Sequence, residues 1–228
     1  MKRAYFNWSG GKDSAFALWK VLRDKDYSVE HLLTSINLVH DRISMHGVRR
    51  SLLLEQANAL NIPLTTIELP EQPSMEEYES VMLEKVNGFK QQGMDYSIFG
   101  DIFLEDLRKY REEKLAQADI KAVFPIWKYD TKQLIHDFID AGFKTIVVCV
   151  NDKYLDKSFC GRIIDGQFLN DLPPNVDPCG ENGEFHTFVF AGPVFNKPIP
   201  ITKGEIVYRE YNAPGSAGNY GFYFCDLF

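Results

Sequence analysis

Short apolar runs alternate with longer amphipathic segments over the first 150 residues of the chain. The apolar runs predict β-strands, at 3–8, 30–37, 64–69, 96–99, 122–124 and 144–150. The segments between them repeat apolar residues at helical spacing and predict helices, at 14–23, 48–60, 75–92, 104–118 and 131–141. Strands that alternate with helices of this length imply right-handed crossovers. The pattern therefore predicts an α/β fold built on a parallel sheet of five or six strands through about residue 150.

The last third of the chain has a different pattern. Residues 171–182 contain three prolines and predict a loop. Apolar runs after this loop predict strands of a small antiparallel region, at 185–190, 205–211 and 220–226. A stretch rich in Gly, Ala and Asn at 212–221 predicts a mobile turn. We therefore expect two units, a parallel α/β unit at 1–150 and a smaller α+β unit at 151–228.

A glycine-rich loop joins the first predicted strand to the first predicted helix, and it consists of Ser9, Gly10, Gly11, Lys12, Asp13 and Ser14. Its two glycines let the backbone approach an anion closely, and the N–H groups and dipole at the helix start attract phosphate. Lys12 adds a full positive charge, and Asp13 can cap the helix or hold Mg²⁺. The spacing is not that of a Walker A loop. An ordinary glycine turn is the alternative interpretation.

This hexapeptide resembles the PP-loop of ATP pyrophosphatases, an adenine nucleotide alpha hydrolase-like superfamily. In that superfamily the loop grips the pyrophosphate that leaves when an acceptor is adenylated. The resemblance implies a Rossmann-like fold of that superfamily for the first unit. It also implies ATP and Mg²⁺ as ligands, and cleavage of ATP between its α- and β-phosphates.

Further motifs resemble the diphthine–ammonia ligase family in this order and over nearly the whole chain, at 41–50, 100–102, 125–127 and 180–187. Members of that family adenylate the carboxylate of diphthine, a modified histidine on a translation elongation factor, and ammonia then displaces AMP to leave an amide. The form Met45-His46-Gly47-Val48-Arg49, with Asp177-Pro178-Cys179 later, resembles bacterial members, and bacteria do not make diphthamide. The resemblance therefore implies a ligase that forms a carbon–nitrogen bond on diphthine or on an unknown carboxylate.

The segment 180–187 carries candidate groups for the second half-reaction. Glu181, Glu184 and His186 fall within six residues of one another, between and after two glycines. Ammonium must lose a proton before it attacks an adenylate, and this step calls for a nearby base. We expect His186 to titrate near neutral pH. With Lys12, these three residues are the predicted catalytic set; a purely structural role in holding the loop, or a metal site, is the alternative.

Ligands of parallel α/β sheets bind at the carboxyl ends of the strands. Besides the loop, the predicted nucleotide-binding residues there are Asn37, His46, Gly100 and Asp101. Asp101 can serve Mg²⁺ or ribose, and with Asp13 it is a predicted Mg²⁺ ligand; capping of the next helix is the alternative. Arg111 matches an arginine of the family, although (i, i+4) pairing on a solvated helix would also explain it.

Composition and charge narrow the partners. The net charge of −7 weighs against a nucleic-acid partner, which usually requires a basic surface. No segment approaches the ~20 apolar residues of a membrane helix, and the N-terminus lacks the pattern of a signal peptide. The expected location is cytoplasmic, the expected substrates are ATP and ammonia, and a homodimer is allowed.

Two other functions are carried as alternatives. A tRNA-thiolating enzyme of the PP-loop class would need a paired or persulfide-forming cysteine, whereas none of the four cysteines forms a C-x-x-C pair. We expect reduced thiols, including an inert Cys179. The other alternative is a nucleotide sensor without ligase activity.

Overall fold

The computed structural model describes residues 1–44, 46–212 and 219–228. Its strands are β1 Lys2–Asn7, β2 Tyr27–Asn37, β3 Arg42–Ile43, β4 Leu64–Leu69, β5 Tyr96–Ile98, β6 Lys121–Val123, β7 Lys144–Asn151, β8 Phe185–Ala191, β9 Lys203–Asn212 and β10 Asn219–Leu227. Its helices are α1 Lys12–Asp24, α2 Arg50–Leu60, α3 Met75–Gln91, α4 Glu105–Ala116, α5 Thr131–Asp140 and α6 Gly166–Asp171, with a 3₁₀ turn at Lys157–Phe159.

The first sheet contains β1 to β6, in the order β3-β2-β1-β5-β6, with β4 also paired to β2. The pairs β1–β2, β1–β5, β2–β4 and β5–β6 are parallel, and the two-residue β3 is antiparallel to the end of β2. Side chains of β1 alternate between two apolar layers: Ala4 and Phe6 pack on one face, and Tyr5 packs on the other with Phe89 of α3. Burial on both faces is typical of a parallel sheet and confirms the predicted α/β class.

The second sheet is antiparallel and has the order β8-β7-β10-β9. The prediction that 144–150 extends the parallel sheet is wrong, because β7 pairs antiparallel with β8 and β10. A continuous apolar run marks a strand buried on both faces, and such a run is the same in either kind of sheet. The antiparallel strands predicted near 185, 205 and 220 are confirmed.

The division at residue 150 stays a prediction; the change of sheet precedes β7. The predicted turn at 212–221 falls largely on 213–218, which lie outside the described residues. The sequence pattern missed β3, α6 and the 3₁₀ turn, since elements this short contain too few residues to show a period. Among the described helices, none combines the length and the apolar character needed to cross a bilayer.

Candidate active site

The loop between β1 and α1 is folded tightly around its two glycines. Gly10 has a φ of +77°, and a Cβ placed there would lie 2.7 Å from Oε1 of Gln56, so the position demands glycine. The N–H of Gly11 donates to Oγ of Ser9 at 3.2 Å, and Oγ of Ser14 donates to the carbonyl of Gly11 at 2.9 Å. Gly11 is the N-cap of α1 and has no side chain to cap it. The N–H of Lys12 donates to Oγ1 of Thr187, so an anion at the start of α1 would meet the N–H groups that follow it.

Gln56 of α2 holds this loop from behind and was missed by sequence reasoning. Its side chain is fully buried, and its Nε2 donates to the carbonyls of Gly10 at 3.0 Å and Val189 at 2.7 Å. Its Oε1 accepts from Nε1 of Trp8 at 2.9 Å. A glutamine on the otherwise apolar face of a predicted helix was the available signal, because a buried amide needs partners.

Lys12 is the buried cation of the site. Its ammonium pairs with both carboxylate oxygens of Asp13, at 2.7 and 2.9 Å, and lies 5.7 Å from the ring centre of Phe185. Burial opposes its charge, but Asp13 and the neighbouring acidic groups more than offset this effect and raise the pKa of Lys12. Its backbone N–H donates to Oγ1 of Thr187 at 3.0 Å. The cation therefore stands where the loop meets β8.

Three carboxylates lie at this end of the site: those of Asp13, Asp101 and Glu181. The backbone N–H of Ile102 donates to Oε1 of Glu181 at 3.1 Å, which fixes this side chain beside the loop that follows β5. Burial, reinforced by the charge of Asp13, raises the pKa of Glu181 to about 7. Burial also raises the pKa of Asp13 and of Asp101. Accumulated negative charge of this kind attracts a divalent cation. Among the described residues, however, no three His, Cys, Asp or Glu side chains are grouped closely enough to hold a metal ion, and Asp13 and Asp101 are paired with Lys12 and Arg111. The Mg²⁺ site at Asp13 and Asp101 stays a prediction.

Asp101 is paired with Arg111, whose Nε lies 3.1 Å from its Oδ2. The guanidinium also lies 4.3 Å from the ring centre of Phe99. The suggestion that Arg111 only pairs along its own helix is wrong, since its partner lies before α4. Capping by Asp101 is also wrong, because the N-cap of α4 is Leu104 and no side chain caps it.

Gly100 brings the end of β5 against the start of α1. A Cβ at this position would lie 2.9 Å from the Cα and the N of Ser14. Backbone atoms cannot move aside as a flexible side chain can, so the close approach requires glycine. Through this contact Gly100, a predicted nucleotide-binding residue, supports the first turn of α1.

Glu184 differs from Glu181 in its surroundings. It is 1% exposed and accepts from the N–H of Asp177 at 3.0 Å and the N–H of Asn182 at 2.9 Å. The side chain of Asn182 donates to it at 3.2 Å. Glu184 is absent from the lining of the cleft described below, while Glu181 and His186 belong to it. These contacts fit the structural alternative for Glu184, and its catalytic role stays a prediction.

His46 and His186 meet above the loop. Their ring centres lie 4.6 Å apart, with 31° between the planes. Burial, with smaller contributions from His46 and Lys12, lowers the pKa of His186 to about 3. Burial lowers the pKa of His46 to about 4. The expectation that His186 titrates near neutral pH is therefore wrong for the free protein, because the ring lies in a packed stack beside a cation.

The remaining predicted residues are placed as follows. Asn37 ends β2, and its Oδ1 accepts from the N–H groups of Val39 and His40 at 3.0 and 3.1 Å. Arg49, the last residue of the motif 45–49, binds Asp226 of β10 with Nη2 to Oδ2 at 2.6 Å. With Arg42 it lowers the pKa of Asp226 to about 2, and so ties the segment 41–50 to the second sheet.

A cleft of about 2290 Å³ connects these groups. At one end it is lined by the loop 9–14, and along its walls by the segment 180–187 and parts of β9 and β10. Ligand pockets usually measure about 300–1,000 Å³. The cleft therefore has room for a nucleotide and a second ligand side by side.

Cys179 lines this cleft but is 1% exposed, and its Sγ donates to the carbonyl of Thr131 at 3.3 Å. Burial raises the pKa of its thiol. The other cysteines are buried as well, and none of the four forms a disulfide. A protonated, buried thiol fits the inert role expected for Cys179.

Comparison with models of known protein families shows to which family the chain belongs. Residues 1–121 match the model of the diphthamide synthase N-terminal domain, and residues 130–215 match that of the diphthamide synthase C-terminal domain. The chain belongs to the diphthamide synthase family. The four motifs quoted from the sequence fall within or beside these two matches.

Curated relatives are similar to parts of this diphthamide synthase family chain. A diphthine–ammonia ligase of Danio rerio is 29% identical over 124 residues, which are 50% of this chain and 48% of the relative. The enzyme of that name from Schizosaccharomyces pombe is 27% identical over 100 residues, covering 42% of this chain and 16% of the relative. The human one is 25% identical over 116 residues, with 48% and 43% covered. The chain thus spans less than half the length of these relatives.

Two solved structures are similar in part. A predicted subunit of tRNA methyltransferase from Methanocaldococcus jannaschii has 16% identity and a TM-score of 0.40, over 69% of this chain and 82% of the other. A U34-tRNA thiolase from Methanococcus maripaludis has 14% identity and a TM-score of 0.38, over 61% and 56%. Neither value supports an argument about function.

Proposed function

We propose that the protein is an ATP-dependent amide ligase. It adenylates an acceptor carboxylate, diphthine or an unknown analogue, and amidates it with ammonia, releasing AMP and pyrophosphate. One observation carries this proposal: the loop 9–14, with its buried Lys12, lies at one end of a large cleft that the segment 180–187 also lines. The two segments lie within the parts of the chain that match the diphthamide synthase family, and the curated relatives of the chain bear the name diphthine–ammonia ligase. The resemblance of 45–49 to bacterial members stays a prediction.

The residues divide the work between two half-reactions. The ammonium of Lys12 and the N–H groups of α1 that follow the N–H of Lys12 bind the phosphates and stabilise charge that develops on them during adenylation. Asp13 and Asp101 would hold the Mg²⁺ that accompanies ATP. The Mg²⁺ would neutralise the negative charges of the phosphates and the carboxylates. Glu181, with its pKa near 7, is the base that takes a proton from ammonium.

His186 and Glu184 receive different roles within this proposal. His186 is neutral at working pH and lines the cleft beside Lys12, so it orients ligand through contact and hydrogen bonding. Glu184 is a positioning residue, since its carboxylate organises the loop that carries Glu181. The hydrogen bonds from the backbone and side chain of Asn182 to Glu184 hold this loop in place.

The nucleotide products test the reaction class. The protein is incubated with ATP, Mg²⁺ and ammonium, with and without a lysate fraction as the source of acceptor, and nucleotides are separated by chromatography. AMP and pyrophosphate are expected, and ADP as the main product would contradict the proposal.

Lys12→Ala should lower ATP affinity by about ten- to a hundredfold in a folded protein, because one charge-assisted contact is lost. Unchanged affinity by calorimetry would remove the loop from the ATP site.

Thiolation of a tRNA is disfavoured by the state of the cysteines. Cys179, which lines the cleft, has a thiol whose pKa is raised by burial and whose Sγ donates to the carbonyl of Thr131. Cys179→Ser separates the two functions, because a thiolase that uses this cysteine would lose activity and a ligase would keep it. A nucleotide sensor, in contrast, would bind ATP and release no pyrophosphate under any of these conditions.

A further inference from the structure

The hairpin of β9 and β10 presents one face to the cleft. Its register places Tyr220 opposite Tyr211, Phe222 opposite Arg209 and Phe224 opposite Val207. Alternate residues of a strand share a face, so all six side chains lie on the same side of the hairpin. All six line the cleft. We call Tyr211, Tyr220, Phe222 and Phe224 the aromatic wall.

The other face of the hairpin is already used by the fold. Tyr208 stacks against Tyr223, with ring centres 5.0 Å apart, and its hydroxyl donates to Asp152 at 2.8 Å. Tyr208 and Tyr211 are nonetheless exposed to the same degree, 48% and 47%. Tyr211 has no such hydrogen bond among the described residues. Its ring is therefore available to a ligand, whereas the ring of Tyr208 is committed.

The aromatic wall is continuous with the reaction end of the cleft. Tyr211 packs edge-on against Phe222 with centres 5.9 Å apart, and Phe222 lies 6.2 Å from Phe224. A Cβ at Gly47 would lie 2.9 Å from Cδ1 of Phe224, so the wall touches the segment that carries His46. From there the stack of histidines reaches the phosphate loop. A second ligand on this wall would thus extend toward the nucleotide.

Arg209 supplies the charge on this face. It is exposed, and within 1–44, 46–212 and 219–228 it forms no ion pair or hydrogen bond, unlike Arg42 and Arg49, which Asp226 holds. Glu205 also lines the cleft, but it lies four residues away along the strand, about 13 Å. A guanidinium surrounded by aromatic side chains matches an anionic group on a flat molecule.

We propose that this face of the hairpin is the acceptor subsite and that it selects a planar aromatic or heteroaromatic ring bearing an anionic group, with the ring against the aromatic wall and the anion on Arg209. This inference depends on the proposed ligase function only in calling the bound ligand an acceptor. Binding of such a ligand to the hairpin is tested independently of that function. Nucleic acid would also offer flat rings and anions. Arg209 is the one arginine on this face of the described hairpin, and the chain has a net charge of −7, so a small acid or a side chain is favoured over nucleic acid.

The test uses three probes of similar size: benzoate, cyclohexanecarboxylate and benzamide. Dissociation constants are measured by ligand-observed NMR on the full chain. Benzoate should bind about tenfold more tightly than the non-planar acid, because aromatic pairing is lost, and more tightly than the neutral amide. Phe222→Ala should abolish the preference for the planar ring, and Arg209→Met should abolish the preference for the acid over the amide. Equal binding of all three probes would overturn the inference.

Tyr208→Ala is the matched control for Tyr211→Ala, since it removes an equally exposed ring from the opposite face. It should leave benzoate binding unchanged while Tyr211→Ala weakens it; equal effects of the two would overturn the subsite. ATP affinity, measured in each variant, should stay at the wild-type value. If no AMP forms but the probe preferences hold, the ligase proposal fails alone; if AMP forms without them, the subsite fails alone.

The source of the ring is distinguished with 4-carboxyphenylalanine, used free and at the centre of a five-residue peptide. Tighter binding of the peptide would support a ring presented by a protein, and tighter binding of the free amino acid would support a small-molecule acceptor. The third ligand tested is a single-stranded oligonucleotide. If the protein bound it more tightly than the peptide and the free amino acid, and if this binding depended on Arg209, the hairpin face would be a nucleic-acid site instead.

Discussion

The backbone N–H of Lys12 donates to Oγ1 of Thr187 at 3.0 Å, across 175 residues of sequence. This bond joins the first turn of α1 to β8, so the second sheet takes part in shaping the loop 9–14. The N–H of Val189 donates to the carbonyl of Gly10 at 2.9 Å and makes a second link between the same elements. The loop is therefore defined by both sheets together.

Thr187→Val should loosen this link. Valine has nearly the shape of threonine but no acceptor, so the N–H of Lys12 loses its partner at a cost of about 1–3 kcal/mol. We expect lower stability in urea unfolding and weaker ATP binding by calorimetry. Thr187→Ser keeps the hydroxyl and is the matched control. If valine and serine behaved alike, the hydrogen bond would not be what fixes the loop.

Gly100→Ala should disturb ATP binding from outside the loop. The added Cβ would meet the backbone of Ser14 at 2.9 Å, and the start of α1 must shift to relieve this contact. The control is Gly88→Ala in α3, where a Cβ meets nothing within 4 Å. That change should be neutral or should stabilise by up to about 1 kcal/mol. Calorimetry with ATP and thermal unfolding of both variants give the comparison.

Glu184→Gln should act mainly on stability. Replacing one carboxylate oxygen by an NH₂ group directs a donor at a backbone N–H, either of Asp177 or of Asn182. An unsatisfied buried group of this kind costs about 1–3 kcal/mol. In Glu181→Gln, the amide oxygen still accepts the hydrogen bond from the N–H of Ile102. The free energy of unfolding of this variant should therefore be close to that of the wild type. Urea titrations of the pair check this, and the reverse order of stability would make Glu184 the less structural residue.

Glu181 should also make ATP binding depend on pH when Mg²⁺ is absent. Its pKa of about 7 means that it gains a negative charge between pH 6 and pH 8, close to the phosphate loop. We expect the affinity for ATP to fall over this interval and to fall less in Glu181→Gln. The variant also corrects for the ionisation of ATP itself. Added Mg²⁺ should reduce the difference; identical pH profiles of the two proteins would place Glu181 away from the phosphates.

The sequence was sufficient to predict the longer helices and strands and the loop 9–14. The spacing of glycines, lysine and serines between a strand and a helix carries a local physical meaning, because N–H groups at a helix start bind anions wherever they occur. The turn around Gly10 and the helix that begins at Lys12 follow from that local pattern.

Partners distant in sequence could not be predicted in the same way. The burial of Gln56 under the loop and the contact of His46 with His186 depend on how the two sheets meet. The pairing of Asp101 with Arg111 depends on how α4 packs beside the end of β5. The same dependence explains the error about β7, whose apolar run fits either sheet. It also explains the titration of His186, since a pKa is set by surroundings that the residue type does not reveal.

The two stacked histidines should make the protein sensitive to acid. In the native state the pKa values of His46 and His186 are about 4 and about 3, whereas an unfolded histidine has a pKa of about 6.5. Between these values the unfolded chain binds protons that the native chain does not, so falling pH favours unfolding. The contribution of the two neutral histidines to the free energy of unfolding is fully present above pH 6.5. It is lost as the pH falls from there toward 4, by up to about 1.4 kcal/mol per pH unit for each histidine.

Glu181 acts in the opposite direction over part of this range, because its native pKa of about 7 lies above the unfolded value of about 4.5. Between these values the native state binds the extra proton, and falling pH stabilises it. The histidine contribution is therefore isolated by comparing the wild type with His186→Gln in urea titrations at pH 7.5 and pH 5.0. The variant should lose less stability than the wild type between the two values. His136→Gln removes an exposed histidine of α5 and should lose as much as the wild type does. A His186→Gln protein that matched this control would mean that the ring at 186 does not stay neutral in the native state.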